Sequence, residues 1–180
     1  MKVDVGRHVS RCTCHLNKAN NTKRHAPLQP LHASAPFEHI HVYHVGPFEK
    51  TDKEHLYALM MVDRFTKWME IAAVKEKDMS EAADKFEKKI VARWGAPATV
   101  MADNAFKGIF AEMSAKYGVD LKEMIPHQHN SNGLAERNNR MLRKSLRSYI
   151  NDEQDDWDQL LPRIQFAMNT SNAKEHKESP

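Results

Sequence analysis

The chain has 180 residues, which is enough for one domain with a proper core and a short appendage. Hydrophobic residues make up 41% of it and charged residues 28%, as in ordinary globular proteins. No apolar run approaches the roughly 20 residues that a membrane-spanning helix needs. We therefore expect no signal peptide and no association with a membrane.

Positive charge is concentrated at the N-terminus. Residues 1–35 carry six Lys and Arg against one Asp, a balance of +5, whereas the whole chain has a net charge of +3, so the remainder carries −2. The overall basicity is therefore weak evidence that the folded part attracts nucleic acid, and local clusters have to make that case.

The predicted elements follow a lead-in without periodic apolar spacing, so we place a domain boundary near Leu31 and expect domains at residues 1–30 and 31–180. In chain order the sequence predicts strands at 37–45, 56–62 and 68–74, a helix at 79–94, a strand at 99–102, a helix at about 109–117, a strand at 119–124, a polar loop at 126–133, and helices at about 134–150 and 157–169. Three hairpin-linked strands followed by strands that alternate with helices predict an α/β fold, a five-stranded mixed sheet with helices on both faces.

Two carboxylates stand out by their positions. Asp103 comes directly after a short strand, and Glu136 comes near the start of a helix that follows a polar loop. Phosphodiester chemistry needs carboxylates from separate elements, because two divalent cations roughly 3.5–4 Å apart must hold the attacking and leaving oxygens. Without further context, Asp103 is equally a helix N-cap and Glu136 a solvated residue of a first helical turn.

A series of motifs gives these residues a context. In order along the chain they are Pro36–Pro47, Val62–Glu70, Trp94–Pro97, Asp103–Asn104, Pro126, Ser131–Gly133, Glu136–Arg140, Leu160–Pro162 and Phe166–Asn169. Together they resemble the catalytic core of gypsy-type retrotransposon and retroviral integrases, and the resemblance covers residues 31–180.

The resemblance implies a ribonuclease-H-like fold whose Asp, Asp, Glu triad binds two Mg²⁺ or Mn²⁺ ions for 3′-processing and strand transfer. By motif position, Asp103 resembles the second Asp and Glu136 the Glu. The position of the first Asp is occupied by Tyr43. Taken alone, Tyr43 is a half-buried aromatic of a strand, and its phenol cannot supply the charge that a carboxylate gives to hard cations.

The tyrosine at position 43 leaves several functions open. The resemblance favours an integrase-type polynucleotidyl transferase impaired at Tyr43; the alternatives are a catalytically inactive DNA-binding or dimerising protein and a structural interaction domain that reuses the fold. His41 would share the strand face of Tyr43 and is conceivable as a replacement ligand, but an ordinary core or surface histidine is the favoured interpretation, as it is for His127 and His129.

The helix after Glu136 carries a stripe of basic residues at helical spacing, formed by Arg137, Arg140, Lys144 and Arg147. Leu142, Leu146, Tyr149 and Ile150 are expected on the opposite, apolar side. A stripe of this kind is a solvated face or a surface that contacts phosphates, and its position beside Glu136 makes DNA the expected partner. A homodimer is a further possibility.

The N-terminal residues His8, Cys12, Cys14 and His15 resemble a remnant of the zinc module that precedes such cores. One residue separates the cysteines where a zinc site wants two to four, so we expect no stable Zn²⁺ site. The same pair is too close for an ordinary structural disulfide, which fits the nucleus or the cytoplasm.

Overall fold

The computed structural model describes residues 33–76, 79–102, 106–123 and 129–171. They belong to one compact unit, Leu31–Pro180. The zinc-module remnant expected at residues 1–30, together with Asp103 and His127, lies outside the described residues. The side chain of His129 also lies outside them.

Five strands form one mixed sheet in the order β3-β2-β1-β4-β5. They are β1 (His39–Val45), β2 (Tyr57–Asp63), β3 (Met69–Val74), β4 (Thr99–Ala102) and β5 (Asp120–Glu123). The first three pair antiparallel as hairpins, whereas β4 is parallel to β1 and β5 is parallel to β4. The predicted five-stranded mixed sheet is confirmed, and β1 is its central strand.

Helices cover both faces of this sheet, as predicted. They are α1 (Met79–Phe86), a π-helical turn (Glu87–Val91), α2 (Ala92–Trp94), α3 (Lys107–Tyr117), α4 (His129–Arg147) and α5 (Trp157–Asn169). Alternation along β1 explains the two layers, because Ile40 and Val42 pack with the first cluster of apolar residues and Tyr43 and Val45 with the second.

The first cluster brings α1 and α3 against the sheet through Ala82, Phe86 and Met113. The second brings α4 and α5 against the other face through side chains that include Leu142, Leu146, Trp157, Leu161 and Ile164. Every side chain of both sets is buried. Within the described ranges, each helix is too short or too polar to cross a bilayer.

Side chains of α5 cover the outer edge of β3. The Asn169 amide accepts a hydrogen bond from the Met69 backbone N–H at 2.9 Å and donates one to the Met69 carbonyl at 2.9 Å. The Gln165 amide oxygen accepts from the Ile71 N–H at 2.8 Å. These side chains satisfy backbone groups that an edge strand otherwise exposes.

Three predicted boundaries need correction. β1 begins at His39 rather than at Phe37, because Phe37 adopts a left-handed backbone conformation (φ 59°) that a strand cannot contain. The polar loop predicted at 126–133 is wrong for its second half, since α4 begins at His129. Tyr149 lies beyond the end of α4 and is 66% exposed, so it does not belong to the apolar side of that helix.

Candidate functional site

Tyr43 lies in the central strand, and its side chain is only 6% exposed. It packs among the apolar side chains that α4 and α5 present to the sheet. Burial raises the pKa of the phenol above its usual range, and the side chain of Asn138 lowers it to a smaller extent. Tyr43 is therefore neutral at physiological pH and more deeply buried than the half-buried aromatic that the sequence predicts.

Asn138 is the polar residue of α4 that faces Tyr43. It is 7% exposed, and its amide approaches the phenol, but the Tyr43 hydroxyl makes no hydrogen bond of normal geometry to any described residue. A buried hydroxyl without a partner costs free energy, on the order of 1–3 kcal/mol. The centre of the sheet thus holds a polar group that the surrounding core does not fully satisfy.

The parallel pairing of β1 and β4 fixes the neighbourhood of the predicted catalytic positions. The last paired residues are Val42 and Ala102. Tyr43 follows the first of these directly in the chain, and Asp103 follows the second, although Asp103 itself lies outside the described residues. In a parallel pair, the carboxyl ends of both strands meet at the same edge of the sheet, which is where α/β folds place their ligands.

Glu136 is exposed on α4. Asn138 comes two residues later, about 200° further around the helix at roughly 100° per residue. The helix therefore presents Asn138 to the core and Glu136 to a different side. Glu136 shares its side with basic residues that recur at steps of three and four.

A groove along α4 brings these groups together. It is lined by Glu136, Asn139, Arg140, Arg143, Lys144, Arg147 and Ser148. The stripe predicted from the sequence is exposed along its whole length, and Leu142 and Leu146 are buried on the opposite side as predicted. Arg137 is also exposed but does not line this groove.

The sequence analysis missed Arg143, although the spacing contained the signal. Arg143 comes seven residues after Glu136 and three after Arg140, so all three share one side of the helix. Its Nε donates to the Asn139 side-chain oxygen at 2.9 Å, and its guanidinium lies over the Phe48 ring with Cζ 5.3 Å from the ring centroid. Arg143 therefore lines the groove and also contacts the loop after β1.

His41 is fully buried, and a guanidinium nitrogen of Arg64 lies 3.4 Å from its Nε2. Burial, together with the nearby charges of Arg64 and Lys67, lowers the pKa of His41 to about 4. A cationic neighbour disfavours a second cation, so these contacts support the interpretation as a core histidine rather than a metal ligand. Asp63 accepts hydrogen bonds from the Thr66 N–H and hydroxyl at 2.8 and 2.7 Å, which fits a turn-stabilising role.

The sequence of the chain is similar to those of several retroelement proteins. The chain is 30% identical over 178 residues to a Gag-Pol polyprotein of walleye dermal sarcoma virus and 30% identical over 182 residues to a gypsy retrotransposon integrase-like protein of Mus musculus. It is 24% identical over 177 residues to a Tf2 transposon polyprotein of Schizosaccharomyces pombe. These matches cover 95–98% of the chain.

This chain is a homologue of the retroelement integrases. It spans 10% of the length of the viral polyprotein, 34% of the mouse protein and 13% of the yeast transposon polyprotein. No family model matches the sequence.

Solved integrase structures share the fold. An intasome of simian T-cell lymphotropic virus superposes with a TM-score of 0.68 at 19% identity, covering 99% of this chain and 64% of the viral one. The catalytic core of HTLV-2 integrase, solved with magnesium in a trimeric form, gives a TM-score of 0.59 at 18% identity, covering 82% of this chain and 96% of the viral one. The predicted ribonuclease-H-like fold of integrase cores is confirmed.

The resemblance implies a two-metal site with Tyr43 in the position of the first carboxylate, and a tyrosine does not fit that role. A buried, neutral phenol at position 43 lacks the charge and the second oxygen with which a carboxylate bridges two cations. Within the described ranges, no group of three or more His, Cys, Asp or Glu side chains could hold a metal ion. The exposed cations along α4 form a surface that can contact polyanions.

Proposed function

We propose that this chain is an integrase-type core that binds DNA through α4 and whose polynucleotidyl-transferase activity is impaired at Tyr43. The observation that carries the proposal is the exposed α4 groove, where Arg140, Arg143, Lys144 and Arg147 stand beside Glu136. The burial of Tyr43 under α4 and α5 supports the second part of the proposal, the impaired activity.

Phosphate binding follows from the chemistry of the groove. Four cations along less than three helical turns outnumber the one carboxylate, and guanidinium groups suit phosphate oxygens in bidentate geometry. The charge lies on a rigid helix whose opposite side is anchored in the core through Leu142 and Leu146. A fixed array of this kind contacts the DNA backbone and carries no base preference by itself.

The impaired chemistry follows from the identity of one side chain. We assign the metal-binding roles of the family to Asp103 and Glu136, which leaves two carboxylates where the triad has three. Loss of an essential ligand commonly lowers metal affinity or rate by orders of magnitude. We therefore expect a protein that retains DNA binding more readily than catalysis.

A salt titration of duplex DNA binding tests the proposal. Replacing Arg140 and Lys144 with Ala should weaken binding to duplexes of unrelated sequence to a similar degree and should reduce the slope of log affinity against log salt by up to about two. The reason is that for each phosphate contact that is lost, DNA binding releases about one condensed counterion fewer. Fluorescence anisotropy at several salt concentrations gives both quantities.

A matched control removes the same charge elsewhere. Lys88 and Lys116 are exposed on other elements, so their replacement with Ala should leave the salt slope unchanged. Equal slopes for the Arg140/Lys144 variant and the wild type would show that these α4 side chains do not contact DNA phosphates. Absence of any binding at low salt would instead support a structural interaction domain that reuses the fold.

A further inference from the structure

The α4 groove continues into a second cavity at the C-terminal end of the helix. This cavity holds about 410 Å³, within the range of roughly 300–1,000 Å³ for ligand pockets. Arg143 and Arg147 line both the groove and the cavity. Between them, Phe48, Leu146 and Ile150 give the cavity an apolar floor. A DNA strand that follows the groove would therefore pass from a polar, mainly basic surface onto one that is basic and apolar.

Three contacts hold the guanidinium of Arg143 in place beside this floor. Its Nε donates to the Asn139 side chain at 2.9 Å, an Nη lies 3.4 Å from the Gly46 carbonyl oxygen, and its Cζ lies 5.3 Å from the Phe48 ring centroid. The residue is nevertheless exposed, so one surface of the group faces solvent. Restraint of this kind removes most of the entropy that a long side chain loses on binding a ligand.

The loop that carries Phe48 is equally fixed. The Trp157 indole N–H donates to the Glu49 carbonyl at 2.7 Å, and the rings of Trp157 and Phe48 lie 4.9 Å apart. Gly46 is required there, because a Cβ at this position would lie 2.7 Å from a ring carbon of Tyr57. Both walls of the cavity are therefore formed before any ligand arrives.

We infer that Arg143 and Phe48 form a stacking platform for an unpaired nucleotide of the DNA that α4 binds. The inference rests on the proposed function. Guanidinium planes and aromatic rings are the surfaces on which unpaired bases stack in proteins, while Arg147 is placed for the adjoining phosphate. Glu49 and Gln154 complete the lining and offer acceptor and amide groups to a base edge. A paired base offers no free face, so the cavity selects unpaired over duplex DNA.

The test compares two DNA probes that differ in one feature, a blunt duplex and the same duplex with an unpaired two-nucleotide overhang that contains 2-aminopurine. The wild type should bind the overhang probe at least about fivefold more tightly and change the fluorescence of the unpaired base. Arg143→Lys keeps the charge but loses the plane, and Phe48→Leu loses the ring. Each should abolish the preference. Phe48→Leu keeps every cation of the groove and should change affinity for the blunt duplex less than about twofold, whereas Arg143→Lys should also weaken binding to the blunt duplex, because Arg143 belongs to the phosphate-binding groove. Phe48→Tyr keeps the ring and should retain the preference.

The outcomes separate the two proposals. Equal wild-type affinity for both probes would overturn the platform and leave DNA binding by α4 intact. A preference that survives in folded Arg143→Lys and Phe48→Leu proteins would place the unpaired base elsewhere and overturn it as well. Equal loss for both probes in Arg143→Lys, with the preference for the overhang unchanged, would show that Arg143 contacts phosphate only and would overturn the platform. No binding of either probe by the wild type would overturn the platform and the proposed function together.

Discussion

Tyr43 occupies the centre of the sheet with a hydroxyl that no described residue satisfies. The ring contributes to the apolar cluster under α4 and α5, and burial of an aromatic of this size dominates local packing energy. The hydroxyl opposes this gain because its hydrogen bonds to water are lost. The side chain is therefore a core residue with one poorly accommodated atom, at the position where the resemblance implies a metal ligand.

Tyr43→Asp should raise the affinity for Mn²⁺, because the substitution restores a third carboxylate to the set that the resemblance assigns to Asp103 and Glu136. Since Tyr43 is buried, the loss of the ring should also cost about 3–5 kcal/mol of stability, as large-to-small substitutions of core aromatics do. Calorimetric titration with Mn²⁺ measures the affinity, and the rise of the melting temperature with Mn²⁺ confirms that the folded state binds the ion.

The matched control for this change is Tyr43→Asn, which has nearly the same size as Asp and no charge. If the folded Asp variant binds Mn²⁺ no better than the Asn variant, then Tyr43 does not occupy the first catalytic position. Recovery of strand transfer is a more demanding outcome than metal binding, because a displacement of about 1 Å in a catalytic group can cost about a hundredfold in rate.

His41 predicts a pH dependence of stability. Burial, together with the charges of Arg64 and Lys67, lowers its pKa to about 4 in the folded protein, whereas the unfolded chain has an ordinary value near 6.5. Between these values the unfolded state binds more protons, so stability falls as the pH drops from 6.5 to 4. The loss attributable to His41 should reach about 2 kcal/mol at pH 5 relative to pH 7.

Urea unfolding of the wild type and of His41→Gln at pH 7, 6 and 5 checks this expectation. The Gln side chain stays neutral throughout, so the free energies of the two proteins should diverge in their pH dependence by the amount given above. Parallel pH profiles would show that His41 titrates normally and that its surroundings are more polar than the burial implies.

Individual residues were predictable from the sequence only where spacing carries the information. The exposed stripe on α4 follows from steps of three and four, and Arg143 follows from the same rule although it was overlooked. The approach of Asn138 to Tyr43 joins residues that are 95 positions apart and depends on how α4 packs across β1, which no local pattern encodes. Whether Asp103 and Glu136 converge on Tyr43 stays a prediction.

At the scale of elements, apolar periodicity predicted the strands and helices that pack on the sheet. β4 was predicted with its observed bounds, as was α5. The start of α4 was not, because residues 129–133 are His, Asn, Ser, Asn and Gly and include no apolar residue that would show a helical period. Asn and Ser are common in first turns, where their side chains satisfy backbone N–H groups.

The helix before β4 shows a second limit of pattern reading. Its apolar positions Ala82, Phe86 and Ile90 predict one regular helix, but residues 87–91 form a π-helical turn. The wider turn belongs to the segment from which Lys89 and Arg93 reach Glu70, at 3.3 and 2.6 Å. Because Glu70 is fully buried on β3, its ion pairs depend on tertiary packing rather than on the local sequence of the helix.

At the scale of the whole molecule, the proposal predicts a specific pattern of activity. The wild type should show no strand transfer with Mg²⁺, and Asp103→Asn should make little further difference, because a site that already lacks one carboxylate loses little when a second is removed. A gel assay that joins a labelled DNA end to a target plasmid measures both. Robust wild-type activity that Asp103→Asn abolishes would contradict the impairment and show that Tyr43 is compatible with catalysis.

The fold class was predictable because the order of hairpins, the alternating units and the motifs all indicate the same architecture. Hairpin-linked strands followed by strand–helix units predicted the mixed sheet, whereas the order β3-β2-β1-β4-β5 comes from the structure. The motifs then select an integrase-type core. The order of elements does not predict which side chains bond to the backbone at the edges of the sheet, as those of α5 do at the outer edge of β3.

That edge has a consequence for assembly. The amides of Asn169 and Gln165 occupy the N–H and carbonyl of Met69 and the N–H of Ile71, backbone groups through which β3 could recruit a further strand. In the described part of the chain, β5 pairs only with β4, so it is the single side on which another sheet could add. Two molecules joined there would leave no template for a third. Within the described residues the sheet therefore offers one edge for strand addition, and pairing at that edge would give a closed pair rather than a fibre.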